Sequence, residues 1–309
     1  NQSYFIKSGA MVNLSKYQSI TQNFEKMFDG IREVCSYKGK ILGVPLFSVE
    51  VSCWEVDAYL QADMNIKLPQ EQWTWEQFYE IAQKTHKDTD WDGKPDVYAL
   101  IQPGVIPPFM DTYECENVDY IKGKVSFRNQ EFIKLLKMWK RVLDEGLVLT
   151  KKRGEPLDNE KVFFKERKFG SVIKYPRILI PKPVIKNRGA YPTYVQMLCV
   201  NKNSENIDKA VELLAYLISP DIQLKRPFAG LYSDVSKYDF TIRNTEAEPI
   251  DEKGIALLKD IRKQGVRSYH NKGLRSFQEE IIAKFISGQI SAEEAAKQIE
   301  VKAKMIIEE

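Results

Sequence analysis

Apolar residues recur at helical spacing in several stretches of the chain, and most of these stretches carry their own start or stop signal. In QWTWEQFYEIAQKTHK (72–87), Thr74 stands three residues before Gln77, the spacing of a capping box. Trp75, Phe78, Ile81 and Ala82 then share one face, so a helix is predicted there. Across FRNQEFIKLLKMWKRVLDEG (127–146), Phe132, Leu135, Leu136, Trp139, Val142 and Leu143 make a second apolar face, and Gly146 supplies the stop. IDKAVELLAYLISPDIQ (207–223) reads as a third helix, halted at Ser219-Pro220 because proline removes a donor and clashes with the preceding turn. FQEEIIAKFISG (277–288) is a helix ending at Gly288. Ser291 and Glu294 form a second capping box that opens a helix from Ala292 toward Ile307. Short runs rich in β-branched and aromatic residues predict strands at 41–47, 49–54, 168–175 and 194–200. Helices alternating with strands, without repeats or low-complexity tracts, predict an α/β chain.

Composition narrows the class. At roughly 150 residues per domain, a chain of 309 residues is expected to form two lobes. Hydrophobic residues make up 43% and charged residues 29%, as in ordinary globular proteins, and the net charge of +3 gives no global pull toward nucleic acid. No apolar run approaches the roughly 18 residues of a membrane span. The cysteines at 35, 53, 115 and 199 form no C-x-x-C, which excludes zinc-ribbon and thioredoxin-like readings. They are buried free thiols or form one or two disulfides. The opening, NQSYFIKSGAMVNLSKY, has no initiator Met and no signal peptide, and reads as a mature or truncated product. Trp54, Trp73, Trp75 and Trp139 are assigned to the core, and the role of Trp91 is open.

HKDTDWDGKPDVYAL (86–100) carries candidate metal chemistry. Written as a twelve-residue loop, it puts Asp88, Asp90 and Asp92 at positions 1, 3 and 5, Gly93 at the sharp turn, the Lys94 carbonyl at 7 and Asp96 at 9. A hard cation such as Ca2+ needs oxygens converging in this way. Position 12 is Ala99 and not a bidentate Glu, so another group or water would complete the shell. The alternative is a polar Asx-rich turn between helix and strand. Any Ca2+ here is expected to pin the loop and do no chemistry.

The segment LPQEQWTWEQFYEIAQKTHKDTDWDGKPDVYAL closely resembles a signature of the extracellular solute-binding proteins, family 1, the carbohydrate-binding components of ABC importers. That family shows proline, WTW, a helix, an acidic DxDxDG loop and a tyrosine-containing strand. KGKILGVPLFSVEVSCWEVDAYLQAD resembles the family's run into a YNKDLF motif. Trp54, Glu55, Val56 and Asp57 stand where Tyr, Asn, Lys and Asp are usual, so no role is carried over to the missing Asn-Lys pair. FFKERKFGSVIKYPR, LCVNKNSENIDKAVELLAYLISPDIQ and FISGQISAEEAAKQIEVKAK resemble later family segments. Nearly the whole chain is covered, except that the family's anchor cysteine and first βα units have no counterpart.

The resemblance implies a two-lobed periplasmic-binding-protein-like fold (type II) with an incomplete N-terminal lobe. Residues 1–50 and 195–265 would form that lobe, and 51–194 and 266–309 the other. Crossings would run through FSVEVSC and YVQMLCV, and ligand would lie in the cleft between the lobes. The implied function is capture of a sugar or oligosaccharide and its delivery to ABC permease subunits. The implied protein is an extracytoplasmic monomer, periplasmic or lipid-anchored at the outer face of the cell membrane.

Sugar faces are apolar and stack on aromatic rings, while their hydroxyl rims need planar polar groups. On that ground Phe47, Glu50, Tyr175, Arg177, Tyr191, Tyr194 and Tyr232 are candidate ligand contacts. Core packing is the competing role for each aromatic. From Arg167 to Lys202 there are eight basic residues and no Asp or Glu. A cleft-facing Lys174, Arg177 or Arg188 would suit an anionic saccharide; the alternative is a solvated basic face. No catalytic motif is present around His86 or His270, so an enzyme is not expected; a carbohydrate-active enzyme, whose paired carboxylates can lie far apart in the chain, is the lesser alternative. A sensor reporting to a receptor would share the same closure mechanism, and sequence does not separate the two.

Overall fold

The structure is a computed structural model that describes residues 8–50, 52–69, 72–119, 122–151, 155–157, 159–168, 176–185, 191–223, 252–267 and 272–308. The chain divides into two compact units. One comprises Asn1–Cys53, Arg167–Tyr175 and Ala190–Tyr269, the other Trp54–Glu166, Pro176–Gly189 and His270–Glu309. The polypeptide therefore passes from one unit to the other and back.

In chain order, the first unit has a 3-10 turn (Leu14–Lys16), helices α1 (Gln18–Phe24) and α2 (Asp29–Cys35), strands β1 (Ser36–Tyr37) and β2 (Lys40–Ile41), and β3 (Val44–Glu50). Strand β4 (Ser52–Asp57) leads into the second unit. There follow α3 (Ala58–Met64), α4 (Trp75–Thr85), β5 (Val97–Tyr98), α5 (Met110–Asn117), β6 (Val118–Asp119), β7 (Lys124–Val125), α6 (Gln130–Asp144), β8 (Lys161–Val162), β9 (Phe164–Lys168) and β10 (Arg177–Ile180). Strand β11 (Tyr191–Leu198), α7 (Ile207–Leu217), α8 (Pro220–Gln223), α9 (Glu252–Lys263) and β12 (Gly265–Arg267) belong to the first unit. Helices α10 (Lys272–Ile286) and α11 (Ala292–Glu308) return to the second.

The first unit is built on a sheet ordered β12-β11-β3, with β11 parallel to β12 and antiparallel to β3. Leu14, Ile20, Phe24, Phe28, Ile31, Val44, Val211 and Leu214 pack into its core. The segment before α1 is tied to the chain beyond β11 by Val12 N–H to the Val200 carbonyl and Lys202 N–H to the Ala10 carbonyl, both 2.8 Å. At Gly43 the backbones approach so closely that a Cβ would lie 2.8 Å from both the Cys199 sulfur and the Leu198 carbonyl oxygen.

The second unit carries a sheet ordered β10-β4-β9. Strand alternation sends Trp54 and Val56 to one face, where they are buried. Trp54 lies 5.1 Å from Phe164, 5.7 Å from Trp73 and 5.8 Å from Trp75, ring centre to ring centre. Phe78 and Trp139 extend this aromatic core, and Trp73 donates its indole N–H to the Pro181 carbonyl at 2.8 Å. The four tryptophans assigned to the core are at most 2% exposed.

The helix signals hold where they are local. Thr74 and Gln77 form a reciprocal capping box at the start of α4. Asn129 caps α6, and Gly146 beyond it has φ +66°. Ser291 accepts from Glu294 N–H at the start of α11. Helix α10 begins five residues before the predicted Phe277. Of the strand expected at 168–175 only Lys168 is described, as the last residue of β9 (Phe164–Lys168); 169–175 lies outside the described residues. All of YVQM and Leu198 belong to one strand of the first unit, so the change of unit falls before Ala190 and not inside YVQMLCV. The four cysteines are free thiols.

Candidate functional site

The face of the β10-β4-β9 sheet opposite the aromatic core carries charge. Glu55 and Asp57 alternate with Trp54 and Val56 on β4, and Arg177 on β10 is the register partner of Asp57. The Arg177 guanidinium lies 3.3 Å from Asp57 Oδ2 and 4.0 Å from Glu55 Oε1, and its side chain is only 9% exposed. Asp57 also caps α3: its Oδ1 accepts from the N–H groups of Tyr59 (3.0 Å) and Leu60 (3.3 Å). Lys165 on β9 joins this cluster. Burial pushes its ammonium pKa down, repulsion from Arg177 pushes the same way, and Glu55 and Asp57 oppose both.

Two cations and two carboxylates thus balance one another in a half-buried cluster. Arg177 was expected to face ligand, but its charge is already answered inside the protein, which removes the ground for reading it as a receptor for a sugar carboxylate. Lys182, another member of the basic run, pairs with Glu166 at 2.5 Å. The sequence reading missed Glu55, Asp57 and Lys165 as partners of Arg177. The available signal was the alternation WEVD, apolar and acidic by turns.

Tyr191, the first residue of β11, is 5% exposed. Burial, then the nearby Asp260 and Cys53, push its phenol up to about 12. A platform needs an open ring face, so Tyr191 is a packing residue, contrary to expectation. Glu50 and Tyr194 are direct register partners on β3 and β11, and Phe47 lies on the same β3 strand. The side chains of Phe47, Glu50 and Tyr194, and all of Tyr175 and Tyr232, lie outside the described residues.

In the acidic loop, carboxylate oxygens of Asp88, Asp90 and Asp92 lie within 4.8 Å of one another. The loop is also braced from within. Asp88 accepts from Trp91 N–H (2.7 Å) and Gly93 N–H (2.8 Å), Asp90 from Asp92 N–H, and Asp92 from Lys94 N–H (2.8 Å). Gly93 turns the chain at φ +88°, and Trp91 has φ +64° with 90% of its surface exposed. Asp96 does not join the three. Both its oxygens go to Thr89, and although burial favours its neutral form, those bonds and Lys161 hold its pKa below the usual range. The donor set suits a hard cation in character: of the five expected positions, Asp88, Asp90 and Asp92 supply converging carboxylates, and Lys94 would offer its backbone carbonyl.

No family model matches the sequence, and no curated protein is significantly similar to it. Solved structures match it over nearly its full length. An ABC substrate-binding protein of Listeria monocytogenes in complex with cycloalternan aligns with TM-score 0.73 at 14% identity, covering 98% of this chain and 81% of that one. The sugar-binding protein MalE of Xanthomonas citri aligns with TM-score 0.72 at 14% identity, covering 99% and 81%. An extracellular solute-binding protein family 1 structure from Alicyclobacillus acidocaldarius aligns with TM-score 0.68 at 14% identity, covering 99% and 82%. These likenesses establish the fold as the two-lobed, type II periplasmic-binding-protein-like α/β fold. The chain spans about four-fifths of the length of those structures.

Proposed function

We propose that this chain is the substrate-binding component of an ABC importer, which captures a sugar or oligosaccharide and delivers it to permease subunits in the membrane. One observation carries the reading: a fold shared over 98% of the chain with a substrate-binding protein whose structure holds cycloalternan. The WTW-helix-DG segment supports it from sequence. Ligand that contacts both lobes favours the closed state in proportion to its differential affinity, and closure is what a permease reads. No bond is made or broken. The protein acts outside the cytoplasm as a monomer, periplasmic or lipid-anchored. Phe47, Glu50, Tyr194, Tyr175 and Tyr232 are the proposed sugar contacts. With Arg177 internally paired, and Lys174 and Arg188 outside the described residues, neutral saccharides are the proposed ligands.

A thermal-shift panel of neutral and acidic mono- and oligosaccharides tests this. A ligand at a hundred times its Kd stabilises the native state by about 2.7 kcal/mol, which raises Tm by several degrees. A panel in which uronates shift Tm and neutral sugars do not would overturn the preference for neutral ligands.

In the same reading, Asp88, Asp90, Asp92 and the Lys94 carbonyl hold a structural Ca2+, with Asp96 free to join only by leaving Thr89. Trp91 stands inside this loop, so Tb3+ in place of Ca2+ is expected to emit when tryptophan is excited. Emission should disappear in Trp91→Phe and in Asp88→Asn, and Ca2+ should compete it away. Equal emission from Asp88→Asn would place the ion elsewhere.

A further inference from the structure

Helix α5 meets α10 through a partly buried polar contact that the proposed function does not use. Gln278 on α10 is fully buried, and its amide N–H donates to Glu114 Oε1 on α5 at 2.5 Å. The Gln278 carbonyl oxygen, equally buried, receives no hydrogen bond from any described group. An ionised carboxylate cannot supply that bond, because it only accepts. A protonated carboxyl can. It keeps the acceptor that Gln278 N–H needs and adds an O–H for the amide oxygen.

We infer that Glu114 sits in the fold as a neutral carboxylic acid, paired with Gln278 as a carboxyl–carboxamide clasp, and that this clasp between α5 and α10 loosens when the proton is lost. The pairing satisfies the buried Gln278 oxygen, whose hydrogen bond is costly to leave unmade, and spares the half-buried Glu114 a charge partly withdrawn from water. Two charged side chains act on Glu114. Asp111, on its own helix, favours the proton, and Arg275, on α10, opposes it. These two are paired with each other at 3.1 Å, so neither dominates. Burial is the largest influence and pushes the Glu114 carboxyl up to about 7, against the Gln278 N–H bond, which by itself favours the ionised form. Helix α10 is the first element of the second unit after the chain leaves the first for the last time, so the clasp fixes that returning segment.

The sign follows from linkage. A group whose folded pKa is raised stabilises the fold below its unfolded pKa, and that contribution is lost as pH rises through the folded value. With Glu114 moving from 4.5 to about 7, the folding equilibrium constant should fall roughly thirtyfold between about pH 5.5 and about pH 8.5 on this account alone. The experiment is urea unfolding of the full chain at both pH values, for wild type and for Glu114→Gln. The variant keeps a neutral side chain of the same shape. Its stability should lack the wild type's loss, so that the ratio of the two pH dependences isolates Glu114 from His86 and the surface carboxylates. The same loss in both proteins would overturn the inference. Should Glu114→Gln fail to fold, infrared spectra of the wild type decide. A protonated buried carboxyl band present at pH 5.5 and gone at pH 8.5 supports the clasp, and its absence at pH 5.5 refutes it.

Discussion

At the scale of single residues, the fold depends on a few positions where no substitute fits. Gly43 is one: a methyl group there would press on the Cys199 sulfur and the Leu198 carbonyl oxygen at 2.8 Å. Gly43→Ala should cost about 1–3 kcal/mol, the usual range for overpacking, seen as a lower urea midpoint with an unchanged slope. Arg177 is another. Arg177→Ala would leave Glu55 and Asp57 half-buried without their guanidinium. The expected loss is roughly 2–3 kcal/mol, below that of a fully buried pair because both carboxylates keep some water. The same change removes a cation beside Lys165, whose ammonium pKa should rise. Following the Lys165 side chain by NMR titration checks that direction, and an unchanged value would mean that Arg177 does not act on it. The alternation WEVD hints at an acidic face, but its pairing with Arg177 was not legible in the sequence. Asp57 and Arg177 are 120 residues apart (177 − 57) and become neighbours only through β4–β10 pairing.

At the scale of elements, what was legible was local. Thr74 and Ser291 announce their helices because an N-cap is settled within four residues, and the structure bears out both. Thr74→Ala should therefore cost about 1 kcal/mol, measurable by thermal unfolding, and the cost should be the same with or without sugar. Strand β9, Phe164–Lys168, was not legible for an equally physical reason. FGSVIKY has the β-branched and aromatic content of a strand, whereas FKERK looks like a charged loop. Its Phe164 nevertheless joins the Trp54 cluster, while Lys165 faces the carboxylates. Strand preference reports a half-buried pleated surface, and both faces of β9 are decided by partners far away in sequence. Phe78 touches Trp54, Trp73, Trp75, Trp139 and Phe164. Phe78→Ala should destabilise by about 3–5 kcal/mol, far more than any capping change.

At the scale of the whole molecule, the two-lobed fold was legible because the WTW-to-DG segment and four further stretches resemble one family along nearly the whole chain. The sugar contacts were less so. Arg177 and Tyr191 looked available in one dimension and are committed to packing in three, while the side chains of the other candidates lie outside the described residues. Isothermal titration calorimetry of the full chain against neutral oligosaccharides, followed by recovery and chromatography of the sugar, tests the central claim most directly. The account predicts saturable one-to-one binding of at least one neutral saccharide, recovered intact. Binding of none of them, or recovery of shortened products, would contradict it.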